Sequence, residues 1–183
     1  MQFNLEIKNT NELSNLELLE VMKARVAVFV VEQNCPYQEV DDKDNDARHV
    51  MLKTDGHIAA YTRIVEHDDQ IHISFGRVLV VKQYRGQQLG RKIVQTTIDE
   101  IHRLYPDKGI KIQGQNYLRQ FYESFGFEAV SDVYLEDDIP HSNKCFQLVP
   151  VLLRVLKIRR TLSQVGLPHP LVRLPQCGWR LFE

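Results

Sequence analysis

The chain has 183 residues, of which 43% are hydrophobic and 26% are charged, and its formal net charge is −1. This length and composition predict one globular domain with a sizeable core, and the near-zero charge gives no support for nucleic acid as a partner. The three cysteines lack C-x-x-C spacing, which indicates neither a disulfide framework nor a zinc site. The polar start and the lack of a long apolar run argue against a signal peptide and a membrane span, so we expect a cytoplasmic protein.

The N-terminal segment predicts a strand followed by a helix. Residues 2–8 alternate between polar and apolar, as in a strand, and Ser14 to Glu17 fit a capping box that starts a helix reaching about Phe29. The apolar run then leads directly into Glu32 before Pro36 breaks it. A carboxylate at this place is a candidate site residue, and a solvated helix end explains it equally well.

An acidic run at residues 41–46 follows this helix. Read as a calcium loop that starts at Asp42, it has Ala47 where glycine is needed and Lys53 where glutamate is needed. We therefore expect no metal there, but a solvated acidic loop that could attract a cationic amine.

The middle of the chain predicts an antiparallel meander. Two β-type runs flank Asp55-Gly56, a strong hairpin signal, and a second turn at 67–70 leads into a central strand. The β-branched run from Arg77 to Val81 is typical of a strand buried on both faces. A mixed sheet with helices on its faces is the architecture that this order favours.

The central strand is followed by a polar loop and an amphipathic helix. Residues 84–90 (YRGQQLG) contain two glycines, and an apolar stripe from Leu89 to Ile101 has helical spacing. A glycine-bearing loop at a helix N-terminus binds anions because its amides lack partners, and Arg85 and Arg91 add positive charge. We interpret the loop as a pyrophosphate site, since neither the Walker A nor the dinucleotide glycine pattern is present.

Two motifs in this half of the chain resemble those of the GCN5-related N-acetyltransferase (GNAT) superfamily. Arg85 to Gly90 is similar to motif A. Gln88 occupies a position where the pattern has glycine, so we expect an ordinary helical backbone at that residue. About 30 residues on, after a predicted strand at 110–115, residues 121–127 (FYESFGF) resemble motif B, a short helix ended by Gly126. The segments VFVVEQNCPYQEVDDKD and EDDIPH look like the ElaA-like subfamily. The likeness covers about residues 3–149.

This resemblance implies the fold and the reaction. The fold is α/β (α+β), the GNAT acyl-CoA N-acyltransferase fold, with a mixed, mostly antiparallel sheet of about six or seven strands and helices on both faces. Residues 1–149 would form the domain. The implied activity transfers an acetyl group from acetyl-CoA to a primary amine by direct attack in a ternary complex, and the assembly could be a homodimer.

The resemblance also implies site residues. Tyr122 would be the general acid for the leaving thiolate, and helical spacing predicts that Phe121 and Phe125 are buried together while Tyr122 lies on another face. The central strand lacks the glutamate that many GNAT enzymes use as a base, which leaves Glu32 and His141 as candidates, or Glu32 as the ligand of the ammonium. The implied cofactor-binding residues are Val78, Leu79, Val80, Arg85, Gly86, Gln87, Gln88, Leu89, Gly90, Arg91, Gln115, Phe121 and Tyr122.

Residues 150–183 form a basic extension outside this resemblance. An apolar stripe from Val151 to Val165 predicts a helix that packs on the domain or on a second subunit, and a non-native extension explains it too. Two other functions stay open: a catalytically silent acyl-CoA-binding regulatory module, and an enzyme like the acyl-homoserine-lactone synthases.

Overall fold

The computed structural model of the protein describes residues 1–136 and 139–146, and these residues form one sheet flanked by helices. The strands pair in the order β1-β2-β3-β4-β5-β8-β6, with β7 also against β8, and every pairing within the described residues is antiparallel except that of β4 with β5. Their bounds are β1 (Asn4–Asn9), β2 (Arg48–Thr54), β3 (His57–Glu66), β4 (Ile73–Val80), β5 (Ile110–Gln115), β6 (Glu128–Ala129), β7 (Tyr134–Glu136) and β8 (Ile139–Phe146). The predicted mixed, mostly antiparallel GNAT-type fold is confirmed.

Three α-helices flank the sheet: α1 (Asn15–Arg25), α2 (Leu89–Leu104) and α3 (Arg119–Glu123). The predicted capping box starts α1, because Ser14 Oγ accepts from the Glu17 amide while the Glu17 carboxylate accepts from the Ser14 amide at 2.9 Å. This helix continues as a π-helix over Val26–Glu32. π-Helical turns occur often at functional sites, and this one ends at the candidate site residue Glu32.

The two faces of the sheet bury different cores. Alternation along β4 sends Leu79 to one face and Val80 to the other. The first core, under α2 and α3, includes Val80, Ile93, Ile98, Ile112, Tyr122 and Phe127. The second, smaller core lies under α1 and includes Val21, Val28, Met51, Ile58, Tyr61 and Leu79. The sheet therefore has helices on both faces, as the sequence predicts.

A bulge distorts β4 in its middle. The pairing with β3 shifts between Tyr61 and Arg63, and Arg77 takes a left-handed backbone with φ of 54°. The buried Thr62 hydroxyl donates to the Gly76 carbonyl at 2.9 Å inside this irregularity. A bulge bends its strand and increases its twist, so β4 bends away from the direction of β3 at this point.

The consequence is a gap between β4 and β5. Ile73 and Ile110 are the single register pair of these two strands within the described residues, and the Ile73 amide donates to the Gly109 carbonyl at 3.0 Å. From there to Val80 the edge of β4 that faces β5 has no ladder partner among the described residues. A strand edge without a partner can accept an extended molecule as an additional strand.

The hairpin is confirmed at Asp55 and Gly56, which have positive φ values of 50° and 79°. The prediction that residues 150–183 form a separate basic extension falls outside the described residues. In the part of the chain that is described, no helix is long and apolar enough to cross a membrane.

Candidate active site at the gap between β4 and β5

The predicted pyrophosphate loop, here called the cradle loop (residues 85–91), joins β4 to the N-terminus of α2. Gly86 has φ of 77°, a conformation that glycine adopts without steric cost. The first bond of the helix runs from the Lys92 amide to the Gln88 carbonyl, and no backbone amide of residues 86–91 donates to another described residue. Free amides at the positive end of a helix dipole bind phosphate, so the loop offers donors that suit an anion.

The expected backbone at Gln88 is wrong. Gln88 is not helical but left-handed, with φ of 57° and ψ of 19°, and it occupies the position before the first residue of α2. A residue with a Cβ pays roughly 1–2 kcal/mol for this conformation, which is why glycine suits the position. The loop thus keeps the glycine-type geometry without the glycine.

Arg85 and Glu32 form a two-point ion pair across the entrance of the cradle loop. The Arg85 Nη1 and Nη2 atoms donate to the Glu32 carboxylate at 2.6 and 2.9 Å, and Nε donates to the Val80 carbonyl at 3.1 Å. The hydrogen bond from Arg85 lowers the pKa of Glu32, although partial burial opposes it. A carboxylate held in this way is a weak base, so the geometry favours a charge-positioning role for Glu32 over proton abstraction.

Arg91 connects the cradle loop to the turn after α3. Its Nη2 donates to Ser124 Oγ at 2.8 Å, and its guanidinium lies 4.8 Å from the centre of the Phe125 ring. The two predicted motifs are therefore in direct contact through this side chain. Arg91 remains exposed, so its outer edge is open to a phosphate.

Tyr122 lies deeper than the sequence spacing predicts. Its side chain is 5% exposed, whereas Phe121 and Phe125 are only partly buried, so the expected arrangement of these three rings is wrong. The Tyr122 ring contacts those of Phe75, Phe121 and Phe127 at centroid distances of 5.3–6.4 Å. Burial raises the pKa of Tyr122.

His141 and Gln115 lie opposite each other on β8 and β5. They are direct register partners, and the His141 ring stacks on Tyr134 with centroids 6.3 Å apart. Register also pairs Lys144 with Ile112, a core residue of the Tyr122 face. Since side chains alternate along a strand, His141 and Lys144 project from opposite faces. Tyr122 and His141 therefore lie on opposite faces of the sheet.

A buried charged cluster supports the bulge of β4 from the face that α1 covers. This Arg25 cluster consists of Arg25, Arg63, Arg77, Glu39, Asp41 and Asp44. Arg25 is fully buried and donates to the Glu39 carboxylate at 2.9 Å and to Asp44 at 2.6 Å. Arg63 binds Asp41 and Asp44, each at 2.6 Å, and Arg77 in the bulge binds Glu39 at 2.9 Å. The sequence analysis missed this cluster, and no local spacing signals it.

The cluster corrects the interpretation of the acidic run at residues 41–46. Asp44 is 6% exposed, and although burial alone would raise its pKa, hydrogen bonds from Arg25 and Arg63 lower it to about 2. Asp41 is also bound by arginine, so these two carboxylates hold protein cations rather than attract a free amine. No group of three or more metal-ligating side chains is found among the described residues.

The fold and this site define a class, an acyl-CoA-using acyltransferase fold, and comparisons with known proteins agree. A family model described as an acetyltransferase (GNAT) domain matches residues 13–143. Protein ElaA of Escherichia coli strain K12 is 41% identical over 134 residues, which cover 72% of this chain and 88% of ElaA. The chain therefore belongs to the GNAT acetyltransferase family, in its ElaA-like subfamily.

Solved structures of related proteins resemble this protein closely. The crystal structure of E. coli ElaA has a TM-score of 0.75 at 36% identity and covers 80% of this chain and all of its own. An acyl-CoA N-acyltransferase from Pseudomonas aeruginosa has a TM-score of 0.75 at 37% identity, and the match covers 79% of this chain and 99% of that protein. The acyl-homoserine lactone synthase BjaI, solved with SAM and isopentyl-CoA, has a TM-score of 0.64 at 13% identity, and the match covers 92% of this chain and 96% of BjaI. At this identity the likeness shows a shared fold alone.

Proposed function

We propose that the protein transfers an acetyl group from acetyl-CoA to a primary amine by direct attack in a ternary complex. The observation that carries the proposal is the gap between β4 and β5, which begins beside the cradle loop and has Tyr122 buried along one side. An extended pantetheine has the shape to pair with the open edge of β4 there. The free amides of residues 86–91 suit its pyrophosphate.

The proposed chemistry assigns one role to each side of the gap. The amine nitrogen bonds to the thioester carbonyl carbon, and a backbone amide of residues 78–80 stabilises the developing oxyanion. As the carbon–sulfur bond breaks, Tyr122 gives its proton to sulfur, and the products are the amide and free CoA. The resulting phenolate regains a proton from solvent.

For the base we propose His141 rather than Glu32. The Glu32 carboxylate already accepts hydrogen bonds from two nitrogens of Arg85, and hydrogen bonding to Arg85 lowers the pKa of Glu32. His141 lies across the sheet from Tyr122, on the side from which an amine could approach, and imidazole is suited to proton transfer near neutral pH. Substituting His141→Ala should lower kcat and remove the acidic limb of the pH profile. An unchanged rate and profile would exclude His141.

The test is a screen for CoA release. Acetyl-CoA is incubated with the protein and single members of an amine panel that includes amino acids, polyamines and peptide N-termini; free thiol and acetylated product are measured. We expect at least one amine to release thiol in stoichiometric balance with its acetamide. Tyr122→Phe should reduce kcat by about 10²-fold, the usual contribution of a general acid, whereas Tyr105→Phe, at the far end of α2, should not.

The screen also tests the second candidate, an acyl-CoA-binding module without catalysis. The observation that favours it is the absence of a glutamate on β4, combined with the pairing of Glu32. Binding of acetyl-CoA in a calorimeter, with no thiol release for any amine, would support that module. Amine-dependent release would exclude it.

A further inference from the structure

Lys144 on β8 is a buried cation that the proposed chemistry does not use. Lys144 is only 1% exposed. Lysine is almost never fully buried in proteins unless its charge has a partner. No carboxylate of the described residues forms an ion pair with it. Instead, Nζ donates to the Gly114 carbonyl at 2.8 Å, to Ser142 Oγ at 3.0 Å and to the Ser142 carbonyl at 3.2 Å.

These three contacts suit the charged form of the side chain. An ammonium has three N–H donors, one for each of the two carbonyl oxygens and the hydroxyl oxygen around Nζ. Burial lowers the pKa of Lys144, and the nearby Arg119 lowers it further, whereas the Glu123 carboxylate raises it. Nζ itself contacts only neutral oxygen atoms, and no carboxylate of the described residues lies within ion-pair distance of it.

The field of this cation falls on Tyr122. Lys144 Nζ lies 5.8 Å from the centre of the Tyr122 ring. The two side chains meet above Gly114, where an added Cβ would lie 3.2 Å from Tyr122 Cε2 and 3.3 Å from Lys144 Nζ. A side chain at position 114 would therefore separate them, and glycine permits the approach.

We infer that Lys144 is a positioning residue for the proposed reaction, which acts through Tyr122 by stabilising the phenolate that forms when the phenol protonates the departing CoA sulfur. The inference rests on the proposed role of Tyr122. A nearby cation favours the ionised form of an acid, so Lys144 makes Tyr122 a stronger acid than burial alone would allow. Because Lys144 does not touch the reacting atoms, its effect requires the phenol.

The decisive experiment measures the acidity of residue 122 without turnover. Tyr122 is replaced by 3,5-difluorotyrosine, whose phenol ionises at a pH that the fold tolerates, and its pKa is followed by fluorine NMR. Lys144→Met in this background should raise that pKa by about 1 or more, from the Coulomb energy of a partly buried charge at this distance. An unchanged pKa would overturn the inference.

Lys111→Met is the matched control. Lys111 is on the adjacent strand β5, and its ammonium is bound to Asp69 at 3.1 Å. It carries the same charge but has a carboxylate partner, so its removal should leave the pKa of residue 122 unchanged. If Lys144→Met does not fold, Lys144→Gln removes the charge while it keeps a hydrogen-bonding group, and the same shift is expected.

Kinetics then separate this role from a structural one. Lys144→Met should lower kcat by about 3- to 10-fold, as for a moderate loss of acid strength, with the KM for acetyl-CoA unchanged. In a Tyr122→Phe background the same substitution should have no further effect on kcat. An equal loss in both backgrounds would overturn the inference. A protein that acetylates no amine would refute the proposed function and leave the fluorine titration as the test of Lys144.

Discussion

Two buried cationic centres lie on opposite faces of this sheet and are compensated in different ways. On the face covered by α1, Arg25 has no exposed surface, and carboxylates of Glu39 and Asp44 bind its nitrogens. On the face covered by α2 and α3, Lys144 is almost as deeply buried but binds only carbonyl and hydroxyl oxygens. The first arrangement cancels charge and stabilises a shape. The second preserves charge where a reaction could use it.

The largest expected effect is on the paired centre. Arg25→Leu should reduce the free energy of unfolding by about 3–5 kcal/mol, because Glu39 and Asp44 would remain buried without their partner. Denaturant titration measures this loss. Arg103→Leu, which removes an exposed arginine paired with Glu100, should change stability by less than 1 kcal/mol. Similar losses in both variants would contradict a special role for burial.

Acid should weaken the same face through His49. This residue is fully buried between Thr10 Oγ1 and the Tyr61 hydroxyl, at 2.9 Å from each, and burial lowers its pKa to about 4. As pH falls below about 6.5, His49 becomes protonated in the unfolded chain but stays neutral in the folded protein until about pH 4. The free energy of unfolding therefore falls as pH drops from about 6.5 to 4. We expect a loss of about 2–3 kcal/mol over this interval.

The measurement is a series of unfolding curves across that pH range. His49→Gln should flatten the dependence between pH 6.5 and 4, because the titrating group is gone. His57→Gln, at a largely exposed histidine, should leave it intact. Asp44 and its arginine partners contribute a separate loss only at lower pH, below about 3.8, since the pKa of Asp44 is lowered to about 2. A slope that survives in His49→Gln would assign the effect elsewhere.

The unpaired centre should matter less for stability. Lys144→Met removes three hydrogen bonds but also the cost of keeping a charge out of water, so the free energy of unfolding should change by no more than about 1 kcal/mol. The same denaturant titration applies. A loss as large as that of Arg25→Leu would mean that Lys144 is a structural residue, and the contrast between the two faces would disappear.

The smallest effect is expected at the exposed pair of Glu32 and Arg85. Its short contacts resemble those of the Arg25 cluster, but 32% of the Glu32 side chain is exposed to solvent. Glu32→Gln should therefore cost less than about 1 kcal/mol of stability, since water already screens the pair. Thermal unfolding of the variant is sufficient to test this. A larger loss would show that bond length matters more than burial in this protein.

Local patterns predicted most of the fold. Strand alternation, the Asp55-Gly56 turn and the apolar stripe of α2 each reside in a short stretch of sequence, and each element formed where expected. The order of the two GNAT-like motifs supplied the rest of the architecture. Residues 78–80 and 85–91 also lie together at one end of the gap, because a strand–loop–helix unit keeps neighbours in sequence close in space.

Features that depend on distant contacts could not be predicted. Arg77 meets Glu39 across 38 positions, so the acidic run gave no sign that its carboxylates would be buried. Tyr122 belongs to a five-residue helix with apolar groups on more than one side, where spacing alone does not identify the inner face. Lys144 is one polar residue in the alternating strand β8, and only the glycine at position 114 creates the space in which it meets Tyr122.

The single register pair between Ile73 and Ile110 has a consequence for how the domain unfolds. Strand pairing, interrupted only by local bulges, connects β1 to β4 and again β5 to β8, but hardly continues from one half to the other. A chain of pantetheine length lying in the gap would bridge these halves. Binding should then raise the cooperativity of unfolding, and the slow exchange of amide protons should spread from each half across the whole sheet.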